Sequence, residues 1–397
     1  MIKRDKGDGK MKTIAVATAT RAEFGLLRPV IKRLLNEKDI VTKVVVTGAH
    51  LSPEFGMTVR EIEEDNIAID KKIEILLGSD TSVAISKSMG LAMISFAEYF
   101  DESRPDALLV LGDRYETLAI CCAAMNARIP IFHMHGGETT EGAVDEAIRH
   151  SISKMSYLHF TSTEKYRKRV IQLGENPERV YTVGAVGVEN ALNTPLLTKE
   201  ELEKELSCQL GEQYAVVTFH PVTLENASAG KQVEELLKAV KEFPGMKFLF
   251  TKANADADGR VINARIEEAL RTHENILLYS SLGMKKYLSA VKNAQAVIGN
   301  SSSGIVEVPT FGVPTVNIGD RQKGRIQAES VINCKAEHKE IKDAIDKAMS
   351  AEFRNRALKA QNPYGDGNTS AKIVNIIHEW LTGQKLDIKK KFYDIDF

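Results

Sequence analysis

The chain lacks the marks of several large protein classes. Of its 397 residues only four are cysteines (Cys121, Cys122, Cys208 and Cys334). They show no metal-ligand spacing, and Cys121 and Cys122 are neighbours in a helical pattern, poorly placed to bridge each other. Reduced thiols in a cytoplasmic protein are the expectation, with no metal and no cofactor. The formal net charge is −1. No large basic field exists, which argues against nucleic acid as a partner. No apolar run approaches the roughly 18–20 residues of a membrane span. The first ten residues are polar and rich in Gly and Lys, without the apolar core of a signal peptide. Neither a Walker A motif nor a G-x-G-x-x-G fingerprint is present, so P-loop and NAD chemistry are not expected.

What is present suits a soluble globular protein: 43% hydrophobic and 27% charged residues, at a length that fits two domains. Short β-branched runs alternate with helical stretches, the pattern of parallel α/β units. Strands are expected at 13–18, 42–47, 107–111, 129–133, 157–160 and 180–183. A second series follows at 215–219, 247–251, 276–279, 296–298, 315–318 and 330–332. Helical patterns lie between them, for example at 24–35, 117–127, 146–155, 232–241, 261–271, 284–292 and 338–349. The pattern breaks after Gly184. The expected organisation is a disordered extension over 1–11 and a Rossmann-like domain over 12–187. A linker region over 188–212 leads to a nucleotide-binding Rossmann-like domain over 213–368. A C-terminal helix and tail over 369–397 packs back on the first domain. Two such domains predict a ligand cleft between them, at the carboxyl ends of the strands.

The strongest local signal is Gly299-Asn300-Ser301-Ser302-Ser303-Gly304. A buried strand ends at Gly299 and a helix pattern follows. A strand-to-helix turn of this kind offers backbone N–H groups at a positive helix end, and three serines add hydroxyl donors. This is the composition of a phosphate site. An ordinary serine N-cap would explain one serine, not three with flanking glycines. Glu307, some four to six residues into that helix, could accept from ribose hydroxyls or simply face solvent. Arg321 after Gly319-Asp320 could reach the same phosphates. His220 closes the strand-end run Thr218-Phe219-His220-Pro221 and could donate to a phosphate or move a proton.

In the first half, Arg21 follows the first strand as a candidate anion clamp. Asp113 and Arg114 follow the 107–111 strand. Next come His133, His135, Gly136, Gly137 and Glu138, then Asp145, Glu146, Arg149 and His150. Asp113, Glu138 and Asp145 thus fall on loops at one sheet edge, where shared burial can drive carboxyl pKa values apart into an acid and a base. The plain alternative is that Asp145 is a helix N-cap. His133 and His135, two apart in a strand, would share a face. No accompanying ligand set suggests a metal.

Taken together, these motifs resemble the hydrolysing UDP-N-acetylglucosamine 2-epimerases, the NeuC type, over about Met11 to Leu381. The landmarks are Thr20-Arg-Ala-Glu-Phe-Gly25, Gly112-Asp-Arg114, His135-Gly-Gly-Glu138, Asp145-Glu-Ala-Ile-Arg-His150, Thr218-Phe-His-Pro221 and Gly299-Asn-Ser-Ser-Ser-Gly304 with Glu307. Non-hydrolysing 2-epimerases look like Glu-Ala-Gly-Leu-Arg at the Gly-Gly-Glu element. The resemblance implies a GT-B-like fold and elimination of UDP through a glycal. Water then adds to give free N-acetylmannosamine for sialic-acid-type synthesis. It implies catalytic roles for Asp113 and Asp145, and nucleotide contacts from Arg21, His220, Ser301, Ser302, Glu307 and Arg321. His135 and Glu138 join the catalytic candidates by their place beside these acids, and Arg114, Asn254, Ser303 and Gly304 join the UDP-sugar-binding candidates. The resemblance further implies a homodimer or homotetramer. His135 stands where sialic-acid-pathway members carry a glutamate, and one extra residue lies between Gly137 and Asp145. The His-x-His-Gly-Gly-Glu run resembles a subgroup acting on N,N'-diacetylbacillosamine nucleotides, on the way to legionaminic acid, so two substrates stay open. A glycosyltransferase of the same architecture and a non-catalytic sugar-nucleotide sensor are the remaining alternatives.

Overall fold

Among the described residues of the computed structural model, thirteen strands, all in parallel pairings, make two sheets. The structure describes residues 11–79, 81–140, 144–221, 229–253, 259–383 and 386–395. The expected extension over 1–11 lies outside them except for Met11. The chain divides into two compact units. One comprises Met1–Glu138, Val144–Glu189 and Gly365–Phe397, the other Thr139–Ala143 and Asn190–Tyr364.

The first unit holds β1 (Lys12–Thr18), β2 (Ile40–Thr47), β3 (Ile69–Ile73), β4 (Ala107–Leu111), β5 (Ile131–Met134), β6 (Leu158–Thr161) and β7 (Val180–Thr182). Its sheet order is β3-β2-β1-β4-β5-β6-β7. The helices between are α1 (Arg21–Leu34), α2 (Val59–Glu64), α3 (Ser82–Ser103), α4 (Tyr115–Asn126), α5 (Asp145–Met155) and α6 (Glu164–Gln172). Successive side chains of a strand point to opposite faces, and both faces here are covered. On β1, Ile14 and Val16 enter a core with α1, while Ala15 and Ala17 enter a second core with α3 and α4.

Two helices follow, α7 (Val186–Asn193) and α8 (Lys199–Leu206). The segment expected as a linker is therefore largely helical. Thr198 and Glu201 close a capping box at the start of α8, a device worth about 1 kcal/mol. Leu202 and Leu206 bury the inner face of α8.

The second unit alternates β8 (Tyr214–Thr218), α9 (Ala229–Lys241), β9 (Lys247–Thr251), α10 (Gly259–Leu270), β10 (Ile276–Tyr279), α11 (Gly283–Asn293), β11 (Ala296–Gly299), α12 (Ser303–Val306), β12 (Thr315–Ile318), β13 (Val331–Cys334), α13 (His338–Met349) and α14 (Ala351–Lys359). Its sheet order is β10-β9-β8-β11-β12-β13. Ala215 and Val217 of β8 face one core, Tyr214 and Val216 the other. The last helix, α15 (Thr369–Gly383), returns to the first unit, with Ile373, Val374, Ile377 and Leu381 packed in the core beside α1.

In each sheet the order reverses once, between β1 and β4 and between β8 and β11. Helices leave such a point on opposite faces of the sheet, which opens a crevice at the carboxyl ends of the strands.

Candidate active site

The loop after β1 is shaped by Thr20, which caps α1 by accepting from the Glu23 N–H. Arg21 is the first residue of α1, and its half-exposed guanidinium lies 3.7 Å from Glu61. Glu23 turns inward and accepts from the Ala19 N–H at 2.8 Å. Burial pushes its carboxyl up to about 8, against the pull of that hydrogen bond. After β4 the chain turns at Gly112 and presents Asp113 and Arg114. The Arg114 Nε donates to the buried Glu116 carboxylate at 2.6 Å. Burial alone would lower the Arg114 pKa, but the charge of Glu116 outweighs it and keeps the guanidinium cationic.

β5 ends at Met134, and His135 takes a left-handed backbone, φ +67. The two histidines therefore do not share a strand face as the spacing suggested. His133 lies in the core, its Nε2 2.8 Å from the Gly112 carbonyl and its Nδ1 3.2 Å from Ser153 Oγ. Burial pushes it down to about 3, so it is neutral. His135 instead places Nδ1 3.0 Å from Glu138 Oε1. The His135 Nε2 is buried without a hydrogen-bond partner among the described residues. Ser162 Oγ donates to the same Glu138 oxygen at 2.9 Å. Gly137 makes the turn possible: its φ is +77, and a Cβ there would lie 2.4 Å from the Tyr166 carbonyl.

Arg149 on α5 gathers this edge of the sheet. It is 2% exposed, pairs with Asp113 through Nη2, and uses Nη1 for Glu146 at 2.8 Å and for the Glu138 carbonyl at 2.8 Å. Asp145 is the first residue of α5, one place beyond the N-cap Val144, which makes no side-chain cap. The plain N-cap alternative for Asp145 therefore does not hold. Burial, then the neighbouring Asp113, raise the Asp145 carboxyl above its usual range.

In the second unit β8 leads to His220, β11 to the serine turn and β12 to Arg321. Gly299 has φ +131, and a Cβ there would lie 1.9 Å from the Thr218 carbonyl. Ser301 Oγ accepts from the Ser303 N–H at 3.3 Å. Gly304 sits against Thr315, whose Oγ1 donates to the Gly304 carbonyl at 2.9 Å. The helix that follows is one turn, Ser303–Val306, and Glu307 is its C-cap rather than an interior residue. Pro309 then takes the chain into a 3-10 turn, Val308–Phe311. So short a helix has little macrodipole, which leaves hydroxyl and backbone N–H groups as the donors this turn offers. The Arg321 Nη1 donates to the Asn300 carbonyl at 3.1 Å. Burial, with Arg321 nearby, pushes His220 down to about 4. Asn254 lies outside the described residues.

Sequence reasoning missed several side chains: Glu116 under Arg114, Ser162 under Glu138, the buried Arg149 guanidinium, the Asn300 amide and the buried Gln322. Glu116 had a legible signal, an acid two residues after Arg114. Ser162 and Gln322 had none, because their contacts cross the sheet.

Two parallel-sheet α/β units of this kind make a GT-B-like fold. The chain belongs to the UDP-N-acetylglucosamine 2-epimerase family, whose model matches residues 32–378. It is 43% identical to the GDP/UDP-N,N'-diacetylbacillosamine 2-epimerase (hydrolyzing) of Campylobacter jejuni, over 86% of this chain and 89% of that one. It is 40% identical to the polysialic acid biosynthesis protein P7 of Escherichia coli, over 97% and 98%. In fold it is similar to the UDP-GlcNAc 2-epimerase of Neisseria meningitidis bound to UDP-GlcNAc, with TM-score 0.80 and 21% identity, over 93% and 100%.

Proposed function

We propose that this chain is a hydrolysing UDP-N-acetylglucosamine 2-epimerase that releases UDP and free N-acetylmannosamine. The observation that carries the reading is the Asp113–Arg149 and His135–Glu138 cluster at one sheet edge, in a chain 43% identical to a hydrolysing 2-epimerase. The C2 proton has no adjacent carbonyl to acidify it, so departure of the leaving group must lead. Ser301, Ser302, Ser303, Gly304, His220 and Arg321 hold the departing diphosphate, and Glu307 the ribose. Arg21 and Arg114 add cationic contacts. As the C1–O bond breaks, the pair stays on UDP and the C2 proton passes to a carboxylate. Asp113, kept beside the Arg149 cation, suits that base. Asp145, biased toward its protonated form, suits the acid that returns a proton to C2 from the other face. Water adds its oxygen at C1, and His135 with Glu138 manages its proton.

The test is mass-spectrometric product analysis in deuterated water. Free UDP and a free 2-epimerised sugar carrying deuterium at C2 are expected. An equilibrium of two UDP-sugars without UDP release would overturn the hydrolytic reading. Release that requires an acceptor would favour a glycosyltransferase. UDP-sugar binding without turnover, unchanged in Asp113→Asn, would favour a sensor.

A second substrate has its own support. The Campylobacter relative is named for N,N'-diacetylbacillosamine, and the His133-x-His135-Gly-Gly-Glu138 run resembles that subgroup. Both nucleotides belong in the same assay, and the larger kcat/KM decides.

The reading includes a cytoplasmic homodimer or homotetramer. No helix among the described residues is long and apolar enough to cross a membrane. α3 exposes Val83, Leu91, Met93 and Ile94, apolar side chains that a second copy would cover. A monomeric mass by light scattering would count against assembly.

A further inference from the structure

Three strand ends of the second unit meet at one residue. Asn300 is 1% exposed. Its Oδ1 accepts from the His220 N–H at 2.7 Å, and its Nδ2 donates to the His220 carbonyl at 2.8 Å. Both main-chain groups of His220 are thus held by one planar amide. The Asn300 carbonyl in turn accepts from Arg321 Nη1 at 3.1 Å and from Gln322 Nε2 at 2.9 Å. The Asn300 N–H donates to the Thr218 carbonyl at 3.2 Å. The ends of β8, β11 and β12 are therefore referenced to a single residue.

The His220 ring emerges from this clamp with Nδ1 buried and without a hydrogen-bond partner among the described residues. Burial and Arg321 keep the ring neutral at pH 7. A neutral imidazole has one N–H and one lone pair, so its use depends on direction rather than charge. An error of about 1 Å in such a donor is costly at a reacting group. A carboxamide is the side chain that can both accept from an N–H and donate to a C=O of the same residue.

We propose that Asn300 is a positioning residue that aims His220 at the departing diphosphate. This rests on the function proposed above. The competing role is purely structural, closing the turn after Gly299.

A double-mutant cycle separates the two roles. UDP affinity is measured by calorimetry for the native chain, Asn300→Ala, His220→Ala and the double variant, each with its melting temperature. Asn300→Ala is expected to weaken UDP about tenfold or more. The double variant should bind within about threefold of His220→Ala alone, because Asn300 acts through His220. Asn300→Asp keeps the acceptor for the His220 N–H but sets an oxygen against the His220 carbonyl. It serves if Asn300→Ala does not fold, and should weaken UDP likewise. Losses that multiply in the double variant would overturn the proposal. So would a lowered melting temperature with native UDP affinity. A native chain that does not bind UDP at all would instead overturn the function on which the proposal rests.

Discussion

His135 Nδ1 stands 3.0 Å from Glu138 Oε1, while the other ring nitrogen is buried without a partner among the described residues. Glu138 orients the ring and fixes which nitrogen faces it. Ser162 fixes Glu138 in turn. Such a chain holds an imidazole in one tautomer, the condition for directed proton transfer. His135→Gln should lower kcat by about 10²–10⁴-fold with UDP affinity within about threefold. Glu138→Gln should lower kcat less, since an amide oxygen can still accept. A steady-state assay beside UDP calorimetry checks both, and native turnover in His135→Gln would remove the histidine from the mechanism.

Arg149 and Asp113 make the second test. The guanidinium is buried with carboxylates on two sides. Removing one partner of a buried pair costs about 3–5 kcal/mol because the remaining charge is left uncompensated. Arg149→Met should therefore destabilise by that order in urea titration and abolish turnover. Asp113→Asn keeps the shape and should unfold later than Arg149→Met, yet lose turnover. Equal stability of Arg149→Met and the native chain would show that the pair does not hold this edge.

The strand ends that carry these groups were legible because buried parallel strands read as short β-branched runs. β4, β9, β10 and β12 fall on the expected residues. β3 was not seen: Ile-Asp-Lys-Lys-Ile is a charged edge strand with its middle residues exposed, as edges tend to be. α3 was not seen either, since Ser, Gly and Ala interrupt its apolar pattern. α8 read as linker because of its Lys and Glu content, although Thr198-x-x-Glu201 was a usable cap signal. At the site, motif positions were legible and side-chain reach was not. Nothing local says that Arg149 returns to Asp113, 36 residues earlier, or that His135 leaves the strand with positive φ.

Asp145 gives a pH test. Its carboxyl is raised above the ordinary value of 3.8 by burial and then by Asp113. A raised carboxyl favours the protonated form in the folded state. Its contribution to stability is therefore present at low pH and lost as pH climbs through the folded pKa. Asp145→Asn removes that loss. The variant should melt above the native chain at pH 7, by about 1–3 °C. The advantage should vanish below the ordinary value, while turnover falls at every pH. A variant that melts lower at pH 7 would mean that the charged form is the stabilising one.

Glu175 behaves in the opposite sense. Although burial opposes it, His159 at 3.1 Å, Lys154 at 2.8 Å and Lys390 at 2.6 Å hold this carboxylate down to about 2. Lys390 belongs to the C-terminal tail and also donates to the Lys154 and Ser156 carbonyls. A depressed carboxyl contributes stability above its ordinary value of 4.5, and the contribution is lost as pH falls through about 2. Glu175→Gln should cost about 3–5 kcal/mol at pH 7, with the tail becoming open to limited proteolysis. The gap from the native chain should narrow steadily between pH 4.5 and 2. A gap independent of pH would trace the loss to packing instead.

Gly299 tests how far the nucleotide turn depends on backbone contact. A Cβ at this position would lie 1.9 Å from the Thr218 carbonyl oxygen, and φ is +131. Both objections concern main-chain atoms, so no side-chain rotation relieves them. Left-handed strain alone costs about 1–3 kcal/mol for a non-glycine residue, and the overlap forces β11 away from β8 as well. Gly299→Ala should therefore lose at least about 3 kcal/mol in urea titration. UDP binding should fall with it, because Asn300 and the serines move with the strand end. Gly25 is the control. It lies within α1, where a Cβ would meet nothing within 4 Å. Gly25→Ala should stabilise by about 0.5–1 kcal/mol through helix propensity and leave UDP affinity unchanged. If both alanines proved equally mild, the close approach of β11 to β8 would not be what shapes the turn.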